Sequence, residues 1–205
     1  MSAETTSVVP LSVVVGTREG WPYVRPLIDS LRGEAEALGA EHCLGVIMPA
    51  DSAPEDARLA RDVATRFGVP VVEVDLTEPV RVVRDAVAAR ADEARTAAHG
   101  VGTGAPGTGP AATAPQAHLA QANLKPRLRM VTLYYYANLL DYMVLGTGNR
   151  AEFTLGYFTK WGDGAADLFP LADLLKHEIW ALARELGVPE SVVERAPSAG
   201  LWPGQ

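Results

Sequence analysis

The chain has 205 residues, 48% of them hydrophobic, with a mean hydropathy of +0.05 and a formal net charge of -7. These values fit one folded domain over residues 1–205 with a sizeable core. They exclude a general nucleic-acid or anionic-membrane surface, because either partner calls for a basic patch that neutralises phosphates.

No apolar run approaches the roughly 18 residues of a membrane span. The start "MSAETTSVVPLSVVVG" carries neither a basic leader region nor a cleavage-site pattern, so a cytoplasmic protein is expected. The single cysteine, Cys43, rules out an internal disulfide framework and a multi-cysteine zinc site, and in "EHCLGVIM" it reads as a core thiol.

The first third alternates strands and helices. "LSVVVG" is a β-branched run stopped by Gly16, and "CLGVIMP" is a second one stopped by Pro49. Between them "DSLRGEAEALG" has helix formers closing on Gly39. Next comes "SAPEDARLARDVATRFG", with Ser52 as the expected N-cap, Glu55 three residues on, and Gly68 as the stop. The strand "VPVVEVDL" follows. Such alternation specifies an α/β fold, a doubly wound parallel sheet of Rossmann-like type, whose ligands sit at the carboxyl ends of strands. The loops after Gly16 and Met48 are the places to look.

From about Ala91 to Ala122 the chain is dominated by Gly, Ala, Thr and Pro. Gly100 to Pro115 is expected to be a mobile loop, either a lid over the site or a tolerated insertion, and His118 is expected at the surface. Order returns with a helix over Arg127 to Tyr142. Its Met130, Leu133, Tyr134, Ala137, Leu139 and Leu140 give a broader apolar surface than one sheet contact requires. That surface suits either a second subunit or a central core position. "YMVLG" then reads as a parallel strand, so "TGNRAE" leaves its carboxyl end toward a helix, again at the ligand side. A last helix lies in "DLLKHEIWALARELG", stopped by Gly187 and Pro189. The ending "PSAGLWPGQ" has no capping element after it and reads as a domain cut short.

The blocks "NLKPRLRM", "YYYANLLDYMVLGTGNRAE", "GYFTKWGDGAADLFPLADLLK" and "LGVPESVVERAPSAGLWPGQ" resemble those of the ammonia-dependent NAD+ synthetase family, and "VIMPADSAPEDARLA" resembles its earlier strand–turn–helix. The resemblance is continuous over residues 123–205 and weaker over about Val13 to Leu76. It implies an adenine-nucleotide α-hydrolase-like fold, a homodimer, and amidation of deamido-NAD+ with ATP, Mg2+ and ammonia. It implies that Arg127, Lys160 and Asp167 contact deamido-NAD+, that Thr147, Lys176 and Ser198 contact ATP, and that Glu152 helps hold Mg2+. No catalytic residue follows from it. The bland alternatives stay open: Arg127, Glu152 and Lys176 as solvated helix charges, Thr147 and Ser198 as caps, Lys160 with Asp167 as a surface ion pair.

One stretch departs from the family pattern. Members follow the first strand with a Ser-Gly-Gly-x-Asp-Ser loop whose backbone N–H groups cradle pyrophosphate. Here "SVVVG" is followed by "TREGWPYVRPLIDS", with Pro22 lacking a donor and with Arg18 and Arg25 as substitute cations. The alternative to an active ligase is therefore a catalytically impaired dinucleotide-binding relative, or a regulatory partner.

Overall fold

The computed structural model describes residues 12–16, 40–99 and 114–194. The expected helix ending at Gly39, the segment after Gly16, residues 100–113 of the expected loop, Ser198 and the C-terminal "PSAGLWPGQ" lie outside the described residues.

In chain order the elements are β1 (Ser12–Gly16), a 3-10 turn (Ala40–His42), β2 (Cys43–Ile47), α1 (Pro54–Phe67), β3 (Val71–Glu73), α2 (Thr77–Ala88), α3 (Ala91–His99), α4 (Ala114–Ala122), α5 (Leu124–Leu140), β4 (Tyr142–Leu145), α6 (Arg150–Leu155), α7 (Lys176–Glu185) and α8 (Glu190–Val193). The end of the expected loop is corrected, because Ala114 and Pro115 already belong to α4, and His118 is exposed on that helix.

The four strands form one sheet in the order β3-β2-β1-β4, the order of the first four strands in the common doubly wound arrangement. β2 and β3 run parallel. β1 pairs antiparallel with both β2 and β4, which corrects the expectation that it is parallel to its neighbours. A β-branched run such as "SVVVG" encodes a strand that both edges can bond, and the run itself carries no direction. The register places Val13 opposite Leu145 and Gly16 opposite Tyr142. Gly16 therefore lies at the amino edge of β2 and β4, which corrects the expectation that this end of β1 faces the ligand side.

Helices cover both faces of the sheet. Val46, Met48 and Val144 pack with Leu76 and Val80 of the β3–α2 segment and with Leu133 and Ala137 of α5. On the other face Ile47 meets Ala57 and Ala60 of α1. β2 is buried on both sides, which is why it reads as a continuous apolar run instead of an alternating one. Cys43 is buried, as expected. None of the described helices is long and apolar enough to cross a membrane.

Two helix boundaries carry lessons. α1 starts at Pro54 with Ala53 as N-cap and no side-chain cap, so the Ser52 expectation is corrected. Pro fits the first helical position because the N–H it lacks has no intrahelical partner there. The Ser52 hydroxyl instead accepts the Ala50 N–H at 3.2 Å. α5 turns into β4 through Asp141 alone, in the left-handed region at φ 57°. So tight a connection makes α5 antiparallel to β4 and brings its first turn to the sheet's carboxyl edge.

Candidate functional site

The carboxyl ends of β2 and β3 are tied together. Leu76 N–H donates to the Pro49 carbonyl at 2.7 Å, and Asp51 N–H donates to Thr77 Oγ1 at 3.1 Å. Thr77 in turn hydrogen-bonds Asp75, through its side chain foremost and through its backbone N–H at 2.8 Å, and holds that carboxyl below its ordinary range. Asp51 sits at φ 55°, a conformation Asp tolerates better than most residues. Facing it at 3.9 Å is the ammonium of Lys125, mostly buried at the start of α5. Burial lowers the Lys125 pKa, Asp51 opposes that, and the neighbouring Arg129 adds to it.

The stretch "TKWGDG" docks on the same first turns of α5. Arg127 Nε donates to the Lys160 carbonyl at 3.2 Å. The Thr159 hydroxyl donates to Asn123 Oδ1 at 2.8 Å, and the Thr159 N–H donates to Asp163 Oδ1 at 2.9 Å. A Cβ on Gly162 would stand 3.0 Å from the Pro126 ring, so the turn lies as close to α5 as a glycine permits. Lys160 and Trp161 remain at the surface, with the ammonium 5.4 Å from the centre of the indole ring.

The segment after β4 is shaped by aromatic packing. Phe153 meets Phe169 edge-on at 4.8 Å and Phe158 at 5.5 Å. A Cβ on Gly146 would fall 2.2 Å from Phe169, so "GTGN" passes this cluster only with glycine there. Asn149 and Glu152 form a reciprocal cap on α6: the Asn149 N–H donates to Glu152 Oε2 at 2.8 Å and the Glu152 N–H to Asn149 Oδ1 at 3.0 Å. Asp167 grips the β4 backbone, accepting the Val144 N–H at 2.7 Å and the Tyr134 hydroxyl at 3.1 Å. The Tyr134 phenol is pushed up to about 12, first by desolvation and then by the Asp167 charge.

The expected site residues Arg127, Thr147, Glu152, Lys160, Asp167 and Lys176 lie on α5, α6 and α7 or in the loops between β4 and α7. Arg127 and Lys160 touch directly at the start of α5. Thr147 is exposed between β4 and α6, and Glu152 is half-buried in the first turn of α6. Lys176 opens α7, whose preceding loop accepts the Arg150 N–H at the Leu174 carbonyl. Asp167 is bonded to Tyr134 and Val144 and, among the described residues, forms no surface ion pair with Lys160. The described residues hold no cluster of three or more His, Cys, Asp or Glu. Glu152, with one carboxylate oxygen tied to the cap, fits an ion such as Mg2+ that takes most of its ligands from water and substrate phosphates.

Sequence reasoning missed Arg129. It is 8% exposed, donates from Nε to the Met48 carbonyl at 3.1 Å, and feels the carboxylates of Asp56 and Asp163. Its signal was present: Pro126, Arg129, Leu133 and Ala137 are the buried positions of α5, at helical spacing, and one of them is a cation.

The family model for NAD synthase matches residues 34–205. The NH(3)-dependent NAD(+) synthetase of Carboxydothermus hydrogenoformans is 44% identical over 165 residues, covering 80% of this chain and 59% of that protein. That of Methanococcoides burtonii is 43% identical, covering 83% of this chain and 56% of the relative. The chain therefore spans somewhat over half the length of these relatives. Among solved structures, an NMN synthetase from Francisella tularensis is 30% identical with a TM-score of 0.62, covering 87% of this chain and 65% of that one. An NAD+ synthetase from Burkholderia pseudomallei is 30% identical with a TM-score of 0.58, covering 85% and 61%. The chain belongs to the NAD+ synthetase family.

Proposed function

We propose that the carboxyl edge of the sheet binds deamido-NAD+ and ATP with Mg2+ and supports amidation of the nicotinate carboxylate by ammonia. The observation that carries this reading is the docking of the Lys160 turn on Arg127, whose guanidinium holds the Lys160 carbonyl near the strand ends where an α/β sheet takes its ligand. A carboxylate is a poor electrophile. In the proposed sequence its oxygen attacks the α-phosphorus of ATP, pyrophosphate leaves, ammonia attacks the acyl carbon, and AMP departs with the original oxygen while the nitrogen loses a proton. Arg127 and Lys160 would orient the anionic dinucleotide, and Thr147 and Lys176 the nucleotide. Glu152 would help hold Mg2+, which would supply charge neutralisation for phosphate oxygens.

The impaired-relative alternative rests on "TREGWPYVR" standing where the family has its phosphate loop. Those residues precede the matched segment 34–205, so they offer no like-for-like comparison with that loop, and the alternative is not favoured. The likeness to an NMN synthetase favours one second reading, in which a pyridine mononucleotide takes the place of the dinucleotide. The chain is further proposed to act as a homodimer through the outer stripe of α5, where Val131, Tyr135 and Leu139 are 57%, 64% and 64% exposed at a spacing of four.

Calorimetric titration with deamido-NAD+, ATP, nicotinate mononucleotide and NAD+, each with Mg2+, followed by mass detection of the amidated product, tests the function. Saturable deamido-NAD+ binding and formation of NAD+ are expected. Saturable binding of the mononucleotide alone would install the second reading, and no binding of either pyridine nucleotide would overturn both. A strictly monomeric mass in sedimentation at micromolar concentration would remove the dimer.

A further inference from the structure

Among the described residues three non-glycine positions hold a positive φ: Asp51, Asp141 and Trp161. Asp visits that region more readily than most residues, and Asp141 caps α5 there. Trp161, at φ 61°, is a bulky residue for which the left-handed region is costly. Burial does not account for it, because Trp161 is 65% exposed. The backbone imposes it. On one side the Lys160 carbonyl accepts from Arg127 at 3.2 Å, and on the other the Gly162 N–H donates to the Thr159 carbonyl at 2.9 Å, so both peptide groups flanking Trp161 are held. The frame is itself anchored on α5. The Thr159 hydroxyl donates to Asn123 Oδ1 at 2.8 Å, and a Cβ on Gly162 would stand 3.0 Å from Pro126. Glycine would occupy position 161 without the left-handed penalty, so the indole supplies something that glycine cannot.

The contact it makes is with Lys160, whose ammonium stands 5.4 Å from the ring centre, inside the roughly 6 Å reach of a cation–π interaction. We infer that Trp161 is a positioning residue: its ring face holds the Lys160 ammonium on the turn docked at the start of α5, and through that placement it sets part of the affinity for the dinucleotide. An exposed lysine otherwise spreads over many rotamers, and ordering it at the moment of binding weakens affinity. The ring orders it beforehand. A carboxylate partner would also hold the ammonium, but it would neutralise the charge that an anionic ligand has to meet. An uncharged ring restrains the cation and leaves that charge available.

The inference rests on the dinucleotide reading proposed above, so its test includes a readout independent of that ligand. Isotopic reductive methylation labels the chain's lysines, Lys125, Lys160 and Lys176, and keeps their charge. In the wild type the Lys160 methyl signal, assigned by its absence in Lys160→Ala, should be displaced by the ring current of Trp161. Trp161→Gly should abolish the displacement, and Trp161→Phe should keep part of it. Trp161→Gly should also bind deamido-NAD+ about 2- to 5-fold more weakly, the scale of an exposed cation–π contact, with Trp161→Phe in between. It should melt no lower than the wild type, because relief of the left-handed conformation offsets the freedom a glycine adds to the unfolded chain. In a Lys160→Ala background, Trp161→Gly should cost no further affinity, since the ring acts only through the ammonium. An undisplaced Lys160 signal in the wild type, or unchanged affinity in Trp161→Gly, would overturn the positioning role. So would a full loss of affinity on adding Trp161→Gly to Lys160→Ala, which would mean that the ring touches the ligand itself, or a clearly lower melting temperature in Trp161→Gly, which would make the indole a structural part of the turn. A wild-type chain that binds no deamido-NAD+ would sink the proposed function instead, and the methyl signal would still judge the contact between Trp161 and Lys160.

Discussion

Arg58 of α1 and Arg81 of α2, set against Arg127 and Arg129 of α5, are one residue type in two physical settings. Arg58 reaches Glu55 and Asp62, and Arg81 reaches Glu78 and Asp85, all at helical spacing and with the arginines about half exposed. Arg127 and Arg129 bond instead to backbone carbonyls 33 and 81 residues distant in sequence. The first pair decorates a surface that would fold without it. The second fixes where separate segments meet, so the same guanidinium is dispensable in one place and structural in the other.

The largest expected effect comes from breaking the buried side of that contrast. Asp56 is 1% exposed and its charge acts on Arg129. Asp56→Asn leaves the guanidinium buried without that counter-charge, and a loss of about 3–5 kcal/mol in urea-unfolding free energy is expected. A change below about 1 kcal/mol, the range of an exposed pair, would place Arg129 with the surface arginines after all.

Next in size is a ligand effect without a stability effect. The Lys160 side chain is exposed, with its ammonium over the Trp161 ring, while its carbonyl accepts from Arg127. Lys160→Ala keeps the carbonyl, so melting should be unchanged while deamido-NAD+ binding weakens by about 1.5–3 kcal/mol, the worth of a hydrogen bond to a charged group. Equal affinity in the two proteins would take the Lys160 ammonium out of the site.

The contrast also explains what the sequence could disclose. Elements set by local chemistry were legible: α1 and its stop at Gly68 with φ 67°, the last long helix and Gly187 with φ 76°, and the buried Cys43. The position of β4 and of the "GTGN" turn after it was legible too, because both follow from pattern and connection length. The direction of β1 was not, since three valines pair equally well either way. Nor was Arg129: its period placed it in the core, while its charge suggested a surface. Only the fold brings Met48, Asp56 and Asp163 to it. The glycines of "GTGN" and "TKWGDG" were visible as turns, but the reason for Gly146, a phenylalanine ring 23 residues onward in the chain, is tertiary.

A smaller effect tests the Asp167 clamp. Its charge and its bond to Tyr134 add to desolvation in raising the phenol to about 12. A folded-state value raised above the usual tyrosine value of about 10 favours the protonated form, so this contribution is complete below pH ~10 and is lost as pH climbs through ~12. Absorbance titration at alkaline pH should show one late-ionising phenol that disappears in Tyr134→Phe and shifts earlier in Asp167→Asn. Stability of Tyr134→Phe should decline less steeply than that of the wild type across the same window. Identical titration curves for wild type and Tyr134→Phe would mean the Asp167 bond does not distinguish this tyrosine from the others.

The smallest effect is expected where the contacts look strongest. Arg58 makes side-chain bonds to both Glu55 and Asp62, and the Glu55 bond and charge raise its pKa above the ordinary arginine value. Two indications conflict here, because the same guanidinium is open to solvent, with its side chain 53% exposed. Exposure decides the outcome. Water and salt screen an open pair, and ordering two long side chains offsets most of the attraction that remains. Arg58→Ala should leave the urea midpoint where it was at physiological salt and lower it slightly only in dilute buffer, where screening is weak. The Asp56→Asn loss, arising from a buried charge, should be nearly independent of salt over the same range. A salt-insensitive loss in Arg58→Ala as large as that in Asp56→Asn would erase the distinction between the two arginine settings and make the surface pairs of α1 part of what holds the domain together.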